Sequence, residues 1–182
     1  VAGSALRVVG PSGDDMPPGE IGEILAKGPQ VMTKGYAGKP EETAAVLSED
    51  GWLRTGDAGY MDEDGLLFIK DRFKDVVVSG AENIYPREVE AALHALPYVA
   101  EAAVIGVPSK KWGEEVKAVI ALRDEAQVSD DVVIKDCREK LAGFKCPKSI
   151  DFVSALPRNP SGKVLKHELR KPYWAGFERS VN

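Results

Sequence analysis

The chain has 182 residues, a formal net charge of -5, 43% apolar residues and 29% charged residues. That is enough for one ordinary domain or two small ones, and it excludes both a disordered chain and a general nucleic-acid binder, which would present a basic face. No run approaches the roughly 18 apolar residues of a membrane span.

In chain order, the first seventy or so residues read as strands and turns. The strand LRVVG (6–10) runs into the polar turn PSGDDMPPG. EIGEILAKG then alternates through Ile21, Ile24 and Ala26. PEETAAVLSEDG is a short helix with Pro40 near its start and Gly51 as its stop. GYMDEDGLLFIKDR is a hairpin signal, with strands at Ala58–Met61 and Leu66–Ile69 joined around Asp64-Gly65.

After Arg72 the pattern changes to mixed helix and strand. KDVVVSG is a β-branched run, hence a strand. Pro86 begins a helix whose Val89, Ala92, Leu93 and Leu96 share one face. AEAAVIGVP and EEVKAVIALRD follow as strands, the second placing Val116, Ala118, Ile120 and Leu122 on one side. SDDVVIKDCREKLAG is a helix with Ser129 as N-cap, acids in the first turn and Gly143 as C-cap. Its stripe is Val133, Cys137 and Leu141, so Cys137 reads as core. SIDFVSALP is a last strand before the loop and basic tail LPRNPSGKVLKHELR. The fold class is therefore α+β, a β-rich piece followed by a compact α+β domain, changing near Asp71–Asp75.

Cys137 and Cys146 are too few for a disulfide framework or a metal site, and His94 and His167 have no ligand-like partners nearby. A reducing, cytoplasmic setting is expected. The start, VAGSALRVVG, has neither signal-peptide anatomy nor an initiator methionine and begins as if mid-strand, so a piece of a longer chain is expected.

Four short stretches carry candidate chemistry. In GWLRTGDAGY, Asp57 follows a glycine in a tight bend; its carboxylate could accept both hydroxyls of a ribose, or TGD could be an ordinary turn. Arg72 in DRFKD offers fixed donors for ribose or phosphate oxygens, or is a solvated surface arginine. Gly80, in Ser79-Gly80-Ala81 between a strand and a helix, could admit a ligand close to the backbone. NPSGK lacks the glycine spacing and the Ser/Thr of a P-loop, so Lys163 needs another role: a compact charge on a long stem that can reach into a site and withdraw.

In order and register, GEIGEILAKGPQVMTKGY, GWLRTGDAGYMDEDGLLFIKDRFKD, VVSGAENIYPREVE and LPRNPSGKVLKHELR resemble the C-terminal third of AMP-forming acyl-CoA synthetases. This superfamily also holds peptide-synthetase adenylation domains and firefly-type luciferases. GAENIYPREVE is closer to fatty-acyl and aryl-CoA ligases. The resemblance implies that Asp57 binds the ATP ribose, assisted by Arg72, and that Lys74 is the hinge. It places Gly80 in the loop lining the pantetheine tunnel, and makes Lys163 the catalytic lysine of adenylation. Many relatives carry a second glycine where this chain has Ala81.

The same resemblance divides the chain into the end of a large N-terminal adenylating domain, residues 1–73, and a mobile C-terminal lid, residues 74–182. The implied reaction joins a fatty or aryl carboxylic acid to ATP and then to coenzyme A. The Mg2+ site and acyl pocket would lie upstream, so these residues alone should be inactive. The alternatives are a non-catalytic docking lid, or an adenylating enzyme that loads a carrier-protein pantetheine. A membrane or nucleic-acid patch of Arg158, Lys163, Lys166, Arg170 and Lys171 is a further, weaker reading. Neither a nucleic-acid partner nor an integral membrane segment is expected. The sequence leaves the oligomeric state open.

Overall fold

In a computed structural model, residues 3–31, 35–124 and 126–177 are described, and the chain divides into two compact units, Val1–Phe73 and Lys74–Asn182. Each has its own sheet.

The first unit is a four-stranded antiparallel sheet in sequential order: β1 (Ala5–Val9), β2 (Gly22–Lys27), β3 (Leu53–Met61) and β4 (Leu67–Arg72). Its buried residues include Val8, Val9, Ile24, Leu25 and Ala58, and the adjacent pairs among them point to both faces of the sheet. Helix α1 (Pro40–Val46) starts where expected, because proline's missing N–H is no loss in a first helical turn. It ends before Gly51. Leu47 turns extended and bridges to Leu53, and Gly51 sits in a separate turn, donating to the Ser48 carbonyl at 2.9 Å. The β3–β4 hairpin is closed by Asp62, whose carboxylate accepts the N–H groups of Asp64 (3.1 Å) and Leu66 (2.8 Å).

Strand β3 begins at Leu53, not at Ala58. Asp57 therefore lies inside a strand rather than in a tight bend. The bend signal comes from Gly56 at φ +71° and from a register shift between Ala58 and Gly59. A bulge of this kind kinks and re-aims a strand without ending its ladder.

The second unit has a five-stranded mixed sheet ordered β6-β5-β8-β7, with β9 also on β8. The strands are β5 (Val77–Ser79), β6 (Glu82–Ile84), β7 (Val99–Ser109), β8 (Gly113–Leu122) and β9 (Ser149–Phe152), and β9 runs parallel to β8. A 3-10 turn, Phe73–Asp75, precedes β5. Helix α2 (Pro86–His94) buries Val89, Ala92 and Leu93, with Leu96 just beyond it, as its spacing predicts. Helix α3 (Asp130–Arg138) buries Val133 and Cys137.

Both helices pack on one sheet face with Val116, Ala118 and Ile120 of β8. The other face of the sheet, with Ala103, Ile105, Val107 and Val119, is covered by Leu156, Val164, Leu169 and Tyr173 of the C-terminal segment. β8 is thus buried on both sides, and its apparent one-sided alternation understates its apolar content.

Two expectations are corrected. Ser79-Gly80-Ala81 does not join a strand to a helix; Ser79 pairs with Glu82, so Gly80 and Ala81 form a hairpin tip between β5 and β6. Gly143 is not the C-cap of α3. The helix ends at Arg138 with Glu139 as its C-cap, and Leu141 N–H folds back to the Cys137 carbonyl at 2.9 Å. Ser129 does occupy the N-cap position, but its side chain makes no capping bond.

Candidate functional site

Asp57 and Arg72 are direct cross-strand partners on β3 and β4. The guanidinium Nη1 of Arg72 donates to Asp57 Oδ1 at 3.0 Å. Asp57 Oδ2 makes no hydrogen bond among the described residues. The backbone beneath is pinned: the Thr55 hydroxyl donates to the Ile24 carbonyl at 2.7 Å and accepts Asp57 N–H at 3.1 Å. The buried Asp71 carboxylate accepts Arg72 N–H at 2.8 Å. A carboxylate oriented this way, with one oxygen held by a guanidinium and the other open, is chemically suited to accept hydroxyl hydrogens.

Lys74 lies in the 3-10 turn with an exposed side chain. Its carbonyl accepts Arg170 Nη1 at 2.9 Å, while Arg170 Nη2 bonds Asp75 Oδ1 at 2.8 Å. The Arg170 and Asp75 side chains are each only 12% exposed.

Gly80 has φ +66°, a conformation only glycine adopts without strain. Its N–H donates to the Trp112 carbonyl at 2.7 Å, so the β5–β6 tip is tied to the loop joining β7 and β8. A Cβ at Gly80 would meet Trp112 Cε3 at 3.2 Å. Ala81, beside it, is exposed. Deeper in, the buried Glu114 carboxylate accepts Val78 N–H at 3.3 Å.

Lys163 stands on a miniature hairpin built from the Arg158–Val164 bridge. Asn159 is its hub. Its Oδ1 accepts the N–H groups of Ser161 (3.1 Å) and Lys163 (2.8 Å) and the Ser161 hydroxyl (2.8 Å). Asn159 N–H donates to the Lys163 carbonyl at 2.9 Å, and Gly162 at φ +83° closes the turn onto the Asn159 carbonyl. Arg158 links the hairpin to the sheet, donating to Glu101 Oε1 of β7 at 2.9 Å and to the Gly162 carbonyl at 2.7 Å. The lysine side chain is exposed, and its ammonium has no ion pair among the described residues. A free cation on a stiff tip can be delivered to an anion with little further ordering.

The structure thus pairs two of the expected residues, Asp57 with Arg72. Within the second unit it places Lys74, Gly80 and Lys163 on three different segments. Asn159 and Glu101 are contributors that the sequence reading passes over, and it counts Arg170 only as part of a basic patch. The Asn-Pro turn signal points to the first; no local signal points to the others, whose partners are distant in sequence. The basic-patch reading loses ground. Arg158, Lys166 and Arg170 each pair with an acid: Glu101, Glu90 (2.7 Å) and Asp75. No helix among the described residues is long and apolar enough to cross a membrane.

Residues 88–163 match the AMP-binding enzyme C-terminal domain family. The chain is 49% identical over 168 residues to a feruloyl-CoA synthase of an Amycolatopsis species, covering 92% of this chain and 34% of that protein. It is 43% identical over 180 residues to the fatty acid–[acyl-carrier-protein] ligase ScoC of Streptomyces coeruleorubidus, covering 99% and 34%. Among solved structures, ATP-bound MatB from Rhodopseudomonas palustris superposes with a TM-score of 0.87 at 41% identity, over 98% of this chain and 35% of that one.

The chain thus carries an AMP-binding enzyme C-terminal domain and is similar, over nearly its whole length, to the C-terminal portion of acyl-CoA ligases. It spans about a third of the length of the curated relatives it matches.

Proposed function

We propose that the chain is the C-terminal portion of an ATP-dependent acid–thiol ligase acting on a fatty or aryl acid. Residues 1–73 close the large adenylating domain and residues 74–182 form its mobile lid. The observation that carries the reading is the Lys163 ammonium, without an ion pair among the described residues, on a hairpin ordered without using that charge.

In the first half-reaction a carboxylate oxygen attacks the α-phosphorus of ATP and the bond to pyrophosphate breaks. Negative charge concentrates on groups that already repel, and Lys163 stabilises it. Asp57 accepts the ribose hydroxyls, and Arg72 holds Asp57 in place while contributing donors of its own. Removing one preorganised contact to developing charge lowers the rate about 10²–10³-fold. Among the described residues no group of three His, Cys, Asp or Glu side chains could hold a metal ion, so no step through Mg2+ is assigned to them.

In the second half-reaction the thiol of coenzyme A attacks the acyl carbonyl carbon and AMP leaves. The thiol needs the space Lys163 occupied, so the lid swings about Lys74 and brings the Gly80 tip to the pantetheine. On this reading most of the nucleotide site belongs to the upstream part of the enzyme, and these 182 residues alone are expected to be inactive. The setting is cytoplasmic, with fatty-acid metabolism the broad context.

Pantetheine on a carrier protein is the second acceptor worth testing, because the similar ScoC is named a carrier-protein ligase. A screen of carboxylic acids for ATP-dependent pyrophosphate release by the full-length protein tests the ligase reading. Adding coenzyme A or a holo carrier protein then separates the acceptors. Absence of release with every acid leaves the docking-lid alternative standing.

A further inference from the structure

The segment that follows Lys163 is stitched back onto the second unit at four separated points. Lys166 pairs with Glu90 at 2.7 Å, both side chains largely buried. Arg170 bonds the Lys74 carbonyl and the Asp75 carboxylate. The Tyr173 hydroxyl donates to Asp151, which also pairs with the buried Lys117 at 2.6 Å. Trp174 Nε1 donates to the Gly106 carbonyl at 3.0 Å. Three of these anchors hold the segment to the sheet and α2. The Arg170 anchor instead grips main chain at the first residue of the unit, Lys74.

A bond from a buried guanidinium to a peptide carbonyl fixes the plane of that peptide. The second arm of the same fork bonds the carboxylate of the next residue, Asp75, at 2.8 Å. Such a bidentate grip resists rotation better than a single bond. Rotation about the N–Cα bond of Asp75 would part the Lys74 carbonyl from Arg170 and break one charge-assisted bond in a site from which water is mostly excluded.

Resting on the reading that residues 74–182 move as a lid, we infer that Arg170 is a positioning residue that incorporates the Lys74 carbonyl into the lid body. The pivot is then confined to backbone bonds that precede this carbonyl, in residues 72–74. Lys163, seven positions before Arg170 in the same stitched segment, is carried with the pivot as part of one body. Arg170 touches no reacting group; it sets the angle at which Lys163 arrives.

The test compares R170Q, R170K, D75N and the double variant R170Q/D75N in the full-length protein. Hydrogen exchange is followed in peptides covering 73–77 and, as a control, in β7 and β8. Pyrophosphate release is measured with an acid that the wild type uses. The inference predicts exchange in 73–77 faster by on the order of tenfold in R170Q, with β7 and β8 unchanged. It predicts a lower kcat for pyrophosphate release at unchanged KM for ATP, partial recovery in R170K, and a double variant no worse than R170Q. Unchanged exchange in 73–77, additive effects of the two substitutions, or exchange rising evenly through the sheet would each overturn it. If the wild type releases no pyrophosphate with any acid, the ligase reading fails, and the exchange pattern alone still decides whether the clamp exists.

Discussion

Asn159 and Lys163 are joined by two hydrogen bonds that leave the lysine's charge out of the network. Asn159 Oδ1 accepts Lys163 N–H at 2.8 Å, and Asn159 N–H donates to the Lys163 carbonyl at 2.9 Å. The loop's order therefore does not depend on its ammonium. That separation lets a cation be rigidly presented and still be available to a ligand.

Asn159→Ala removes the acceptor of three bonds in an exposed loop. We expect a stability loss within about 1 kcal/mol, because exposed bonds are readily replaced by water. Pyrophosphate release by the full-length protein should fall further than that figure suggests, on the order of tenfold, since a loosened tip misplaces Lys163. Thermal melting and a coupled pyrophosphate assay on one preparation check both halves. Equal activity in the variant would remove Asn159 from the account.

Asp57→Asn keeps the shape but removes the charge that meets Arg72. The pair is partly exposed, so its contribution to folding is below about 1 kcal/mol. A far larger effect is expected on ATP binding, because the amide nitrogen that replaces one oxygen cannot accept a hydroxyl hydrogen. Calorimetric titration of full-length protein with ATP should show affinity reduced by about tenfold or more, the worth of roughly 1.4 kcal/mol. An unchanged affinity would move the ribose site elsewhere.

Gly80→Ala forces a side chain into a left-handed backbone and sets its Cβ 3.2 Å from Trp112 Cε3. The backbone penalty is about 1–2 kcal/mol, readable as a shift in the urea midpoint. If the tip lines the pantetheine path, thioester formation from supplied acyl-adenylate slows while pyrophosphate release holds. Equal slowing of both steps would mark the tip as merely structural.

How much of this was readable in the residues depends on range. Val89, Ala92, Leu93 and Leu96 fall on one helical face, and the structure buries all four. The Asp64-Gly65 hairpin is equally plain, because turn chemistry acts within a few residues. β6 is three residues long, Glu82–Ile84, with only Ile84 buried, and so carries no alternation to detect. Gly143 looks like a helix stop, yet α3 has already ended at Arg138, and the Cys137 carbonyl is shared by Lys140 N–H, in a tighter turn, and Leu141 N–H. At the candidate site, Asp57 and Lys163 stand out by motif. The groups that orient the Lys163 segment, Glu101 and Asp75, lie 57 and 95 residues from their arginines. Only the fold brings them together.

Cys137 and Cys146 are fully buried against the same helix-covered face of the sheet. Burial, then Cys146, then Asp136 push the Cys137 thiol up to about 11 from an ordinary 9.0. Burial also raises Cys146. A raised folded-state value stabilises the fold while both states are protonated. The benefit is lost as pH climbs, because the unfolded thiol ionises first. Urea midpoints should therefore decline between about pH 9 and about pH 11. Cys137→Ala, less stable throughout, should show a shallower decline. Identical slopes would contradict the assignment.

The most direct measurement compares the two half-reactions of Lys163→Ala in the full-length protein. If a single charge is needed for adenylate formation and absent from thioester formation, pyrophosphate release falls about 10²–10³-fold, while conversion of supplied acyl-adenylate to thioester stays near the wild-type rate. Parallel loss of both, or loss of neither, would contradict the claim that this lysine serves one step and vacates the other.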